Sequence, residues 1–230
     1  MTGAKYQTLI KFGGSITEKG TLSQIMVLGE SLSKLYQKEQ SFLIVPGGGA
    51  FAETIRQLQK KYQLTNETAH WMAILAMDQH GFLLKQVIPN AKIIATEELI
   101  TRRVQAPLTE VPILSIYAFL KKFSKLEHSW KVTSDALSVE IAISLKMSQI
   151  IFLKDVDGLL QQGKLVKRVS FENVKTLKHT LFDQKAIELA EQHYLPIKIV
   201  NGFYPERLEK ALANKTFIGT EIYYNKNHKT

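Results

Sequence analysis

The stretch Thr8-Leu9-Ile10-Lys11-Phe12-Gly13-Gly14-Ser15 and its counterpart Phe42-Leu43-Ile44-Val45-Pro46-Gly47-Gly48-Gly49 decide the fold of this chain. Each is a short apolar run that stops in consecutive glycines. A strand that ends this way and feeds a helix turns several backbone N–H groups toward one point, where hydrogen bonds and the helix dipole together attract anions. One such loop can hold one phosphate; two can hold a donor and an acceptor. Lys11 stands in an otherwise apolar strand, and a buried ammonium is costly unless something negative meets it. It reads either as a cation aimed at a transferring phosphoryl group or as a lysine that snorkels out at the strand end.

Outward from these two runs, short apolar segments alternate with longer amphipathic ones, which predicts an α/β fold with a mainly parallel sheet. Strands are expected at residues 6–12, 41–46, 91–95, 112–116, 149–154 and 196–201, with a last one near 216–223. Helices are expected over 21–38, 51–62 and 67–86, from a cap at Thr133 or Ser134 through Leu145, from Asp183 through Gln192, and from Pro205 onward. The 67–86 helix is apolar on more than one side, so it is expected in the core or at the interface of a homo-oligomer. The segment LLQQGKLVKRV reads as a hairpin turning at Gln162-Gly163. A boundary near residue 148 divides the chain into residues 1–148 and 149–230, two lobes on one continuous sheet. Open α/β sheets bind ligands at the carboxyl ends of their strands, so the site is expected there, between the lobes.

Composition narrows the setting. The chain has 230 residues, 45% of them hydrophobic, enough for a proper core that folds alone. There is no cysteine, which excludes disulfides and thiolate zinc sites, and the six histidines lack metal-ligand spacing, so no metal ligands are expected. No run approaches the roughly twenty apolar residues of a membrane helix, and a lysine interrupts the segment that a signal sequence would need. A soluble protein of the cytoplasm is expected, with no membrane partner. The formal charge of +9 is spread along the chain without a dense basic tract, which argues against nucleic acid; a phosphorylated small-molecule substrate accounts for it as well. Residues 225–230 read as a frayed polar tail.

Three further motifs carry chemistry. Asp135, in Thr133-Ser134-Asp135-Ala136, opens a predicted helix, where it serves either as a favourable first-turn carboxylate or as the anchor that orients Lys11 and a second cation. Asp155-Val156-Asp157-Gly158 follows a buried strand and reads as a turn or as a functional loop. Gly47-Gly48-Gly49 with Ala52 also fits the dinucleotide pattern G-x-G-x-x-A, with Glu67 as the ribose acid, but residues 57–69 contain no strand for that acid to cap. A tight turn without a ligand is the third reading of those glycines.

The order KFGGS, VPGGG, TSDA, IIFLKDVDG and finally Ile218-Gly219-Thr220-Glu221-Ile222 resembles the amino acid kinase family over nearly the whole chain. The resemblance implies a three-layer αβα sandwich in which residues 1–148 bind the acceptor and residues 149–230 the nucleotide. It implies an ATP-dependent phosphotransferase using Mg2+. By motif, Lys11 would contact the transferring phosphoryl, Gly13, Gly14 and Ser15 would cradle the ATP phosphates, and Gly47, Gly48, Gly49 and Ser134 would face the acceptor. Asp135 would organise the cations, and Lys154, Asp155, Val156, Asp157 and Gly158 would form part of the nucleotide pocket. Such chemistry needs alignment and charge stabilisation and no covalent nucleophile.

The chain departs from the family where many members carry G-G-M-x-x-K; here the segment is Leu181-Phe182-Asp183-Gln184-Lys185-Ala186. Lys185 and Lys154 are therefore both candidates for the second catalytic cation. The regulatory domain of typical aspartokinases is not expected within these 230 residues. Residues 70–81, 130–135 and Ile199-Val200-Asn201-Gly202 resemble a small aspartokinase-related group that includes the aminomethylfuran-phosphate kinase of methanofuran biosynthesis, which implies a phosphomonoester acceptor and a diphosphate product. Uridylate and an amino-acid carboxylate are alternative acceptors, and a non-catalytic nucleotide- or anion-binding protein is the alternative of another class. His80 is expected on a helix surface.

Overall fold

The computed structural model describes residues 7–38, 41–101, 110–177 and 181–225. Residue 6 of the first expected strand and residues 226–230 of the expected tail lie outside them. Two apolar strands sit at the centre: β1 (Thr8–Phe12) and β2 (Phe42–Pro46), buried at every position and paired in parallel. A strand buried on both faces has no polar side to alternate, which is why both read as continuous apolar runs. On the other flank β1 pairs in parallel with β5 (Gln149–Lys154), so the segment after residue 148 continues the sheet that the first half begins.

The sheet has eight strands in the order β3-β4-β2-β1-β5-β9-β10-β8, with β3 at Ala91–Ile94, β4 at Val111–Leu114, β8 at Arg168–Ser170, β9 at Ile197–Asn201 and β10 at Thr220–Tyr223. Among the described residues of this sheet, only the β9–β10 pairing is antiparallel. All seven expected strands form, with ends shifted by a few residues. The three-residue edge strand β8 is additional, and its length gives the sequence no period to display. The expected hairpin forms from β6 (Leu160–Gln161) and β7 (Lys164–Leu165), with Gln162 at φ 51° and Gly163 at φ 75°, the left-handed geometry that tight two-residue hairpins require.

Helices flank this sheet to give the αβα sandwich. The short α1 (Gly14–Lys19) and α3 (Gly49–Tyr62) leave the ends of β1 and β2 directly at the glycines. Helix α2 (Leu22–Gln37) starts at a Thr21–Gln24 capping box. Helix α4 (Asn66–Val87) packs on β2 and β3 and along α3. Helix α7 (Ser134–Ser144) packs on β1 and β5 and against α9 (Gln184–Gln192), while α10 (Pro205–Leu212) starts at its proline and packs on β9. The remaining helices are α5 (Thr96–Thr101), α6 (Ile116–Phe123) and α8 (Phe171–Val174). Among the described residues no helix is long and apolar enough to cross a membrane.

Candidate active site

The carboxyl ends of β1, β2 and β5 meet the amino end of α7, and the charged side chains of the sequence motifs gather there. Lys11, one residue from the end of β1, is only 4% exposed. Its partners in register are Val45 and Phe152, so neither register partner supplies a countercharge. The countercharge arrives from above, where Lys11 Nζ lies 2.7 Å from Asp135 Oδ1. The second oxygen of the same carboxylate, Oδ2, accepts from Lys154 Nζ at 2.6 Å, and Lys154 also donates to the carbonyl of Leu181 at 2.7 Å. One carboxylate thus holds two ammonium groups.

Burial alone would push the Asp135 carboxyl up, but the charges of Lys11 and Lys154 outweigh it and hold the group below its ordinary range. Its place in the first turn of α7 adds the favourable field of the helix dipole. Lys154 is lowered by burial and by the charge of Lys11, with Asp135 opposing both. The cluster carries one positive charge in excess on buried groups, an arrangement that favours an incoming anion.

The two glycine loops touch each other beside this cluster. Gly13 donates to Leu153 O at 3.0 Å, and Gly47 donates to Phe12 O at 2.8 Å, which stitches the first loop to β5 and the second to β1. A Cβ on Gly14 would lie 2.3 Å from Gly49 Cα and 2.4 Å from Gly49 N; one on Gly13 would lie 2.4 Å from Leu153 O. Gly49 itself has φ 53°. These glycines are dictated by backbone approaching backbone, a closeness that no side chain permits.

A cavity of about 550 Å3 opens beside the loops. Gly14, Ser15, Gly48 and Gly49 line one end; Ser134 and Thr133 come from the start of α7; and Asn66, His70, Ala73, Ile74 and Met77 form one face of α4. Arg56 places its guanidinium 4.5 Å over the ring of Trp130, and both line the same space.

Beyond β5, Asp155 pairs with Lys19 of α1 and bonds Ser15, which hold its carboxyl low against the upward push of burial. Asp157 accepts from Asn201 Nδ2 at 2.8 Å and from Arg207 Nη1 at 2.6 Å, and these bonds lower it. Val156 lies between them, half-buried. Gly158 has φ 150°, and a Cβ there would come 2.4 Å from Thr220 Oγ1. Thr220 in turn accepts from Leu159 N and donates to Val166 O, which holds the loop against β10.

Of the two lysines proposed as a second cation, Lys154 joins the cluster. Lys185, half-buried in the first turn of α9, has no ion pair there among the described residues. Asp183 connects these parts: its Oδ1 caps α9 by accepting from Ala186 N at 2.6 Å, while its Oδ2 accepts from Thr133 N at 3.1 Å and from Thr133 Oγ1. Thr133 is the residue that caps α7.

The expectation that His80 lies on a helix surface is overturned. The ring is 1% exposed, packed edge-on to Phe12, with Nδ1 2.6 Å from Gly47 O and Nε2 3.0 Å from Thr17 Oγ1. Helical phase carried the signal: Met77, Gly81 and Leu84, at spacings of three, one and four from His80, are all buried. His70 and Asp183 were likewise legible only as helix residues, and Thr17, in a short helix the sequence reading did not expect, was not singled out, since their partners are distant in sequence.

A model of the amino acid kinase family matches residues 7–201. The chain is 31% identical over 221 residues to the [5-(aminomethyl)furan-3-yl]methyl phosphate kinase of Methanocaldococcus jannaschii, an alignment covering 93% of this chain and 96% of that protein. It is 23% identical to the uridylate kinase of Wolinella succinogenes over 92% and 94% of the two chains. Among solved structures, the uridylate kinase of Archaeoglobus fulgidus shares the fold with a TM-score of 0.73 at 18% identity, covering 94% of this chain and 99% of that one. Fold, family model and full-length relatives agree: this chain belongs to the amino acid kinase family and is a phosphotransferase of that family.

Proposed function

We propose that the protein transfers the γ-phosphoryl of Mg-ATP to a small phosphomonoester, with [5-(aminomethyl)furan-3-yl]methyl phosphate as the acceptor and its diphosphate as the product. The observation that carries this reading is the Lys11–Asp135–Lys154 cluster set against two interlocked glycine loops, with a cavity of small-molecule size on the Gly48–Gly49 side. The full-length relative bearing that activity in its name supports the choice of acceptor.

The residues fit the phosphates of a nucleotide. Buried ammonium groups in excess of their carboxylate, beside backbone N–H groups that no side chain crowds, suit a polyanion. Mg2+ bound to the phosphates would neutralise part of their charge. Lys11 stabilises negative charge on the transferring group, and Asp135 keeps Lys11 and Lys154 aimed and apart. Gly13, Gly14 and Ser15 cradle the donor phosphates; Gly47, Gly48, Gly49 and Ser134 seat the acceptor. The loop from Asp155 to Gly158 borders the nucleotide, so that residues 1–148 serve the acceptor and 149–230 the donor. Lys185 approaches the same phosphates from α9.

The apolar Leu75, Phe82 and Leu83 that α4 leaves exposed support pairing with a second copy, which light scattering tests. A cytoplasmic setting accords with the cysteine-free sequence. The test of the activity is phosphorus NMR of Mg-ATP and the protein with [5-(aminomethyl)furan-3-yl]methyl phosphate, uridylate and glutamate in separate samples, with Lys11→Ala as control. A new diphosphate signal from the furan ester, absent in the control, is the expected result. Turnover of uridylate alone would replace the acceptor. ATP unchanged in all samples would favour a binding protein on the same scaffold.

A further inference from the structure

Among the described residues that line the cavity, His70 carries a buried side-chain nitrogen, Nε2, with no hydrogen-bond partner. Such atoms are uncommon in folded proteins, because a buried polar group left unpaired forfeits its hydration for nothing. The ring is fixed in place: it stacks on His128 with centroids 4.6 Å apart and planes 21° apart, and it meets Trp71 edge-on at 5.4 Å. Burial and the neighbouring His128 lower its pKa to about 4, so the imidazole is neutral at neutral pH, with one nitrogen able to donate and the other to accept.

Its position along α4 supplies a length. Asn66, His70, Ala73, Ile74 and Met77 recur at helical spacing and all line the cavity, so the cavity runs along one face of the helix. Met77 marks the glycine end, since a Cβ on Gly48 would come 3.9 Å from Met77 Cγ. His70 lies seven residues earlier, roughly 10 Å away at the rise of an α-helix. Between them the wall is apolar, formed by Ala73 and Ile74.

We infer that His70 is a specificity-determining residue: its Nε2 forms a hydrogen bond with a polar group at the end of the acceptor remote from the phosphate. The inference rests on the reading of this cavity as the seat of a phosphomonoester. It selects a compact ester with an apolar middle and a polar tip about two helical turns from its phosphate, and it disfavours esters whose far end is hydrocarbon.

The test compares two probes by calorimetry, [5-(aminomethyl)furan-3-yl]methyl phosphate and the analogue with methyl in place of aminomethyl. The wild type is expected to bind the amine-bearing ester about tenfold more tightly, as befits one hydrogen bond in a buried site. In His70→Phe that preference falls to near unity, while binding of the methyl analogue is retained. The imidazole nitrogen resonances of the wild type give a second readout that needs no variant: the His70 Nε2 signal moves on saturation with the amine-bearing ester and stays in place with the methyl analogue. Equal affinities in the wild type, a preference undiminished in His70→Phe, an unmoved Nε2 signal, or failure of both esters to bind would each overturn the inference. Formation of a diphosphate from uridylate and ATP is scored separately, so the kinase reading stands or falls on its own.

Discussion

His80 Nδ1 lies 2.6 Å from the carbonyl oxygen of Gly47, inside a shell that leaves the ring 1% exposed. A carbonyl only accepts, so Nδ1 carries the proton. Burial lowers the pKa of the ring, the bond to Gly47 raises it and the charge of Lys11 lowers it; the net fall keeps the imidazole neutral, with Nε2 an acceptor 3.0 Å from Thr17 Oγ1, whose single proton it shares with Gly14 O. Thr17 also lies 2.9 Å from Gly14 O. The histidine therefore ties the second glycine loop to the helix that follows the first. His80→Leu is expected to lower kcat by about tenfold, the worth of one misaligned hydrogen bond. His80→Asn, which keeps a donor for Gly47 O, is expected to recover part of the loss. Steady-state kinetics of the two variants check this.

Lys11→Ala removes the cation in excess and leaves Asp135 paired with Lys154, so the fold is expected to survive while kcat falls by about a hundredfold or more. Lys154→Ala and Lys185→Ala separate the two remaining lysines. The variant with the larger loss of kcat, at unchanged melting temperature, identifies the second cation.

Asp135→Asn has the opposite character. It leaves two buried ammonium groups facing a neutral amide, and uncompensated buried charge destabilises by about 3–5 kcal/mol. The variant is expected to melt earlier than Lys11→Ala. Mg-ATP is expected to restore more of its stability than it adds to the wild type, because phosphates replace the lost negative charge. Thermal melts with and without nucleotide measure both effects.

Mild acid should weaken the folded state through its two buried histidines. His70, with its pKa lowered to about 4, and His80, also lowered, stay neutral in the folded protein where the unfolded chain binds protons near the ordinary imidazole value of about 6.5. Stability then falls as pH drops through that window, since the unfolded state takes up more protons. Urea midpoints at about pH 7.5 and about pH 5 are expected to differ, and His70→Phe is expected to narrow the difference. Equal midpoints in the wild type would contradict it.

Much of this was legible in the sequence because it is local. Strands buried on both faces announce themselves as apolar runs, glycines as breaks, and Thr133, Asp183 and Pro205 as helix starts. Lys11 could be singled out because an ammonium in such a strand needs an explanation. What met it could not be read, since Asp135 is over a hundred residues away and returns only through the packing of α7 on β1. His80 was misread for a related reason. A polar side chain on an amphipathic helix is assigned to solvent unless its partner is known, and that partner is a backbone carbonyl, which has no sequence signature. Lys154 was placed in the nucleotide loop by motif, but its bond to Asp135 comes from α7 packing on β5.

The contact between Gly14 and Gly49 bears on how this protein can change over generations. When two side chains crowd each other, a larger residue on one side can be offset by a smaller one on the other. Here both partners already have no side chain, so that exchange is closed. Drift at either position must wait for a shift in the backbone itself, through a change in loop length or in the angle between α1 and α3. Second-site suppressors of Gly14→Ala are therefore expected to map to loop insertions or deletions and to residues that seat those helices.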